Sequence, residues 1–164
     1  MQSPIHEIFD EAEHRYLKPE ELQLIGHYVG SITDRIHAYR ALRDRELDLI
    51  QQAADQLQFD LPNAELAVLE RAIKNGMLIL RHCGMAMLLN DPNFVQSRLL
   101  DWLKDSIELH QAQGADAAFF ELMKQQLRLS LTPQQMALLK PFLNQAEAIM
   151  PAQPEEMLTV AGIF

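Results

Sequence analysis

The stretch from Ala72 to Asp91, AIKNGMLILRHCGMAMLLND, constrains the fold more than any other part of the chain. Leu69, Ile73, Met77, Leu80, Gly84 and Met87 step by three or four residues, and the positions between them are apolar on nearly every side. That pattern predicts a helix surrounded by protein, which requires other helices to surround it. Gly76, Leu80 and Gly84 share one face. The two glycines predict close approach of a crossing element, in exchange for the ~1 kcal/mol that each costs in a helix interior.

The segments on either side are also helical. Ser3 and Pro4 read as an N-cap followed by proline at the first helical position, and Ile5, Ile8, Phe9 and Ala12 form one apolar stripe. They predict a short amphipathic helix to about Arg15, broken over Tyr16 to Lys18. Pro19, Glu20 and Glu21 restart a helix with acids at its positive end. Helical periodicity then runs to about Gln58, with a bend or break expected near Gly30 and again near Arg43, because one helix of that length would be exceptional. FDLPN, residues 59–63, is a turn. Asp91 and Pro92 repeat the cap-plus-proline start of a helix carrying Phe94, Val95, Leu99, Leu100, Trp102 and Leu103, which Gly114 is expected to close. A further helix covers about Ala115 to Leu129. Thr132, Pro133 and Gln135 form a capping box that opens a last helix ending near Met150. No stretch alternates as a strand does. The expected fold class is all-α, with about seven helices in one domain over residues 1–150 and a C-terminal tail over 151–164 that is either extended or docks Leu158, Val160, Ile163 and Phe164.

Composition narrows the partners. The 23 acidic against 14 basic residues give a formal charge of −9, which repels nucleic acid and anionic membranes. One cysteine cannot form an internal disulfide, which fits a reducing compartment. The N-terminus has no apolar signal core, and the apolar run GMAMLL is too short to span a membrane. A cytoplasmic protein is expected.

The order of these pieces resembles the phycobiliprotein family, the globin-like light-harvesting subunits. SPIHEIFDEAEHRYLKPEEL is similar to the family's N-terminal helical extension, with Arg15, Tyr16 and Leu17 at its turn. MLILRHCGMAMLLNDPNFVQSRLLDWLKDSI is similar to the central helix, its acidic stop at Asp91 and the next helices through Arg98, Leu100 and Leu103. LLKPFLNQAEAIM resembles the closing helix. The resemblance implies a globin-like fold with an N-terminal extension and association with subunits of its own kind or of the phycobilisome.

The departures from the family are chemical. In pigmented members a cysteine on the central helix bonds a linear tetrapyrrole, followed by an arginine that pairs with propionate and an aspartate that holds the pyrrole nitrogens. Counting back from Arg81 by the family's spacing places Ala72 at the cysteine, with Lys74 and Asn75 behind it. Alanine cannot form the bond. Lys74 can still meet a propionate as a point charge, but neutral Asn75 cannot stabilise a protonated tetrapyrrole. The connection FDLPNAELAVLER is also about ten residues shorter than in pigmented members. No bound cofactor is therefore expected. Cys83, about 16 Å further along the same helix, is the sole substitute thiol and is expected to be a buried core residue. In the family the arginine at the Arg81 spacing bonds to an acid on the partner's N-terminal helices. Glu11 or Glu13 would supply that acid here, so Arg81 is either satisfied in its own chain or marks an interface, and the interface is the expectation.

Other chemistry is weaker. A haem needs a proximal histidine in a roomy apolar pocket, and nothing in the spacing of His27, His37 and His82 singles one out. Glu11 with His14 and Asp34 with His37 show the spacing of helical di-iron sites but lack the two further bridging carboxylates. Phosphate loops, nucleophile elbows and zinc spacings are missing, so no enzyme and no metal are expected. Met77, Met85 and Met87 read as core filling, and Trp102 as core or partner anchor. The function expected is a non-pigmented binding or structural protein connected with phycobilisome assembly, turnover or regulation, at the cytoplasmic face of the thylakoid with the antenna. The alternative is a globin-like sensor or carrier holding a tetrapyrrole, haem or lipid without a covalent link.

Overall fold

A computed structural model describes residues 4–109 and 114–150. Among them the secondary structure is entirely helical: α1 (Pro4–Ala12), α2 (Pro19–Asp60), α3 (Leu66–Leu89), α4 (Pro92–Val95), a π-helical turn over Gln96–Leu100, α5 (Asp101–Leu109), α6 (Ala115–Ser130) and α7 (Pro133–Glu147). The N-cap expected at Ser3 and the tail over 151–164 lie outside the described residues.

The central helix is α3, and it packs against α2, α6, α7, α4 and the π turn. Its Leu69, Ile79, Leu80, Cys83, Ala86 and Met87 join one core with Leu42, Leu49 and Leu57 of α2, Phe119, Phe120 and Met123 of α6, and Leu139 and Leu143 of α7. Met77 and Met85 are half-buried and Met87 buried, as core filling requires. Both glycines take up side chains from neighbouring helices. The Phe119 ring occupies the space that a Cβ at Gly76 would need, and a Cβ at Gly84 would stand 2.9 Å from Leu42 Cδ2. The face read from sequence is thus real, but α6 uses one glycine and α2 the other.

The main correction concerns α2, which runs unbroken for 42 residues through both Gly30 and Arg43. Gly26 and Gly30 lie on an exposed stretch where an added Cβ would meet nothing within 4 Å, so no neighbouring group pulls the chain out of helix. Between Glu20 and Asp60 there is no proline to remove a backbone donor, and glycine costs helix stability without forcing a break. Arg35 fixes the point where α2 enters the body. Although 3% exposed, its guanidinium is satisfied, donating to the Leu88 carbonyl in the last turn of α3 and from Nε to Ser31 Oγ at 3.2 Å. That places a cation at the negative end of the α3 dipole.

Smaller differences follow from local bonding. α1 ends at Ala12, three residues early, and His14 and Arg15 continue as turn. The preceding helix is described to Leu109, and its expected close before Gly114 lies outside the described residues. Gly114 sits at the N-cap of α6 with φ 63°, a conformation glycine adopts without strain. Asp91 Oδ1 accepts from the Asn93 N–H at 2.9 Å, and Thr132 and Gln135 form the reciprocal box at 3.1 and 3.2 Å, both as their sequences predict. The last helix ends at Glu147, with turns to Met150.

Candidate functional site

The start of α3 carries the first group of candidate residues, and the body closes over it. Ala72 is 1% exposed, and Lys74, two residues on, points outward. Asn75 is buried, and its Nδ2 donates to Asp116 Oδ1 at 2.9 Å, joining α3 to the first turn of α6. A carboxylate suits that position because the unpaired N–H groups of the first turn carry partial positive charge. One residue further, Gly76 receives the Phe119 ring. Asn75, Gly76, Asp116 and Phe119 together form a polar and apolar clasp between the two helices.

Arg71, which sequence reasoning passed over, completes the group. Its Nε is buried with no hydrogen-bond partner among the described residues. A buried donor left unmade is costly, and nothing short of the packed structure shows that this arginine, among six on α2 and α3, is the unsatisfied one. Because it precedes Ala72 and lies three residues from Lys74, two cationic side chains stand at this end of α3.

Cys83 sits further along, fully buried, with Sγ donating to the Phe142 carbonyl at 3.5 Å. Burial alone pushes its thiol up to about 12. The thiolate needed for bond formation is absent at neutral pH, so the side chain acts as a small core group. His82 donates from or accepts at Nδ1 with the Leu78 carbonyl at 2.8 Å and faces the Phe94 ring at 6.0 Å, while His27 and His37 are exposed. No group of three or more potential metal ligands occurs among the described residues, which covers both carboxylate–histidine spacings.

Arg81 has a partner within its own chain. It is bound by Glu46 of α2 through a two-pronged contact, Nε to Oε1 at 2.8 Å and the terminal nitrogen to Oε2 at 3.3 Å. The hydrogen bond to Glu46 and its charge hold the guanidinium above its usual pKa. Neither Glu11 nor Glu13 is its partner in the single chain. The pair borders a groove of about 260 Å³ with Tyr39, Leu42, Gly84 and Met85. Since 60% of the Arg81 side chain is exposed, a second chain can still reach it.

The N-terminal acids belong to another region. Glu11 pairs with Arg15 at 3.6 Å, Glu13 is exposed, and Arg15 grips Glu21 at 2.7 and 3.0 Å. The Arg15 hydrogen bonds and the Lys18 N–H bring the Glu21 carboxyl down to about 2, locking the α1–α2 corner. This hairpin exposes Phe9, Tyr16, Leu22, Leu24 and Val29. Trp102 is 62% exposed, which sets aside the core reading.

No helix among the described residues is long and apolar enough to cross a membrane. No curated protein matches the chain. The family model for phycobilisome proteins matches residues 9–150, spanning the hairpin, the central helix and the closing helix. With its wholly helical described structure and that match over most of its length, the chain belongs to the phycobilisome protein family, whose fold is globin-like and all-α.

Proposed function

We propose that this member carries no covalent pigment and acts as a binding or structural component in phycobilisome assembly, turnover or regulation. Members of the family are structural light-harvesting proteins, not enzymes, and they assemble with phycobilisome subunits. The observation that carries the reading is the clasp at the start of α3. Ala72 offers no thiol, the Asn75 amide is engaged by Asp116, and Phe119 fills the space beside Gly76. A tetrapyrrole bound there would lose both its tether and the carboxylate that holds its nitrogens. The partner surface is the N-terminal hairpin, with Glu11 and Glu13, together with Arg81 on the body; the apolar side chains exposed on the hairpin support it. Its setting is the cytoplasmic face of the thylakoid, with the antenna.

The test is the visible spectrum of protein made in cells that produce bilins and haem, recorded native and after acid denaturation. No colour in either state is the expected result, and colour that stays on the denatured chain overturns the proposal. Arg81→Ala checks the interface separately, by weakening association in sedimentation equilibrium. Unchanged association removes Arg81 from the interface.

One observation favours a second reading. The unpartnered Nε of Arg71, near Lys74, would be satisfied by the carboxylate of a ligand held without a covalent bond, as in a tetrapyrrole or haem carrier. Colour present in the native protein and lost on denaturation is the outcome that selects it.

A further inference from the structure

A cleft of about 620 Å³ runs between α6 and α7, on residues that none of the foregoing assigns to a function. Its lining is unlike the chain as a whole. In a protein of net charge −9, three of the 14 basic residues, Lys124, Arg128 and Lys140, face this one cleft. Beneath them lie Met136, Ala137 and the buried Leu143.

The three cations are not equivalent. Lys124 is 8% exposed and already neutralised, with Nζ bound to Glu121 at 2.5 Å and to Glu147 at 2.8 Å over the Phe120 ring. Burial pulls its pKa down, and the two carboxylates outweigh burial, so it stays charged and fixed. Arg128 and Lys140 make no ion pair or side-chain hydrogen bond with any described residue, although Arg128 is close enough to help hold the Glu147 carboxyl down. One end of the cleft is therefore electrically closed, while the other presents two cations without an ion pair, one from each wall.

We infer that this cleft binds an amphipathic monoanion, a fatty-acid carboxylate, with its head between Arg128 and Lys140 and its chain along Met136, Ala137 and Leu143. The guanidinium fork matches a carboxylate, and the ammonium adds a second donor. The volume falls in the range of small-molecule sites, which combine an apolar lining with few polar groups. The walls favour such a ligand over a peptide. Both are helices whose backbone groups are used internally, apart from the Ala137 carbonyl, which receives no N–H from Pro141, so an extended peptide would find almost no backbone partners. The site shares no residue with Arg71, Ala72, Lys74 or Asn75, so it stands whether or not the chain carries pigment.

The test is calorimetric and NMR titration of the full chain with decanoate below its micelle concentration. Saturable binding is expected, with shifts at Met136, Lys140 and Leu143. Reversing both charges in R128E/K140E should weaken it at least tenfold and the milder K140Q by less, while K104A on α5 leaves it unchanged. Acetate or inorganic phosphate binding as tightly as decanoate would show an ion site only, and decanol binding as tightly would show that charge plays no part. Either result overturns the proposal. So does decanoate binding that both charge variants leave intact, shifts confined to residues 71–75, or no saturable binding at all.

Discussion

The two halves of α2 are one continuous helix in two different environments. From Arg35 to Leu57 it places Arg35, Ala38, Leu42, Leu49, Ile50, Ala53 and Leu57 in the interior, against α3, α6 and α7. From Pro19 to Asp34 it buries no residue fully, and it shares its surface with α1, where Ile8 is buried and the side chains from Phe9 to Ala12 are exposed. The first half is held by helix propensity and by the Arg15–Glu21 corner, the second by tertiary packing. Most helical stability in proteins comes from packing of an amphipathic face, and the exposed Leu22, Leu24 and Val29 have no such packing among the described residues, which is why they are proposed as part of the partner surface.

This contrast can be broken by mutations on either side of it. The largest effect belongs to the body. Phe119→Ala removes the ring that fills the Gly76 notch and should cost about 3–5 kcal/mol in urea denaturation; a loss below 1 kcal/mol would mean that α6 and α3 are not closely packed there. Next is Asn75→Asp, which sets a second carboxylate against Asp116 in a buried place. At neutral pH the loss should be about 3 kcal/mol. One of the two acids is then raised above its unfolded pKa, so the deficit should shrink as pH falls and the pair shares a proton. A deficit independent of pH would show that the two carboxylates do not face each other.

On the hairpin the same class of change should matter far less to the fold. Leu22→Ser with Val29→Ser should alter monomer stability by no more than about 0.5 kcal/mol, the range for exposed sites, while association measured by sedimentation weakens. A large loss of monomer stability would show that the hairpin folds onto the body. The smallest effect is a titration. The Glu21 carboxyl should titrate at about 2 by NMR and return towards the ordinary carboxylate range in Arg15→Ala. Since its folded pKa is lowered, whatever stability it lends is present above pH ~4.3 and is lost as pH falls towards 2.

Much of this architecture is legible in the residues. The N-cap at Asp91 and the capping box at Thr132 follow from short-range bonds that a few neighbours determine. The burial of most of α3 follows from its apolar sides, which leave only a narrow exposed stripe with Glu70, Lys74 and Arg81. The glycine notches could be located on α3, but not assigned to Phe119 and Leu42, which come from elements far away in the chain. The unbroken course of α2 was not legible, because Gly30 weakens a helix and only the absence of a competing contact decides that it continues. The same holds for the candidate residues. Ala72 as a missing thiol can be read directly, whereas the Asn75–Asp116 bond spans 41 positions and the orphaned Nε of Arg71 exists only once neighbours surround it. Arg81 shows the limit most clearly. A charge in an apolar helix demands a partner, and Glu46, 35 positions away, met that demand within the chain.

By itself the sequence determined that the chain is helical, where most helices begin, that most sides of α3 are buried and that its one cysteine is a core residue. These depend on periodicity, caps and the balance of apolar and polar groups along one helix. Only the tertiary structure decided which side chains fill the glycine notches, which cations are in ion pairs and which are not, and that Arg128 and Lys140 face one cleft. Pairing and burial are set by residues distant in sequence, and their energies exist only after α2, α3, α6 and α7 have come together.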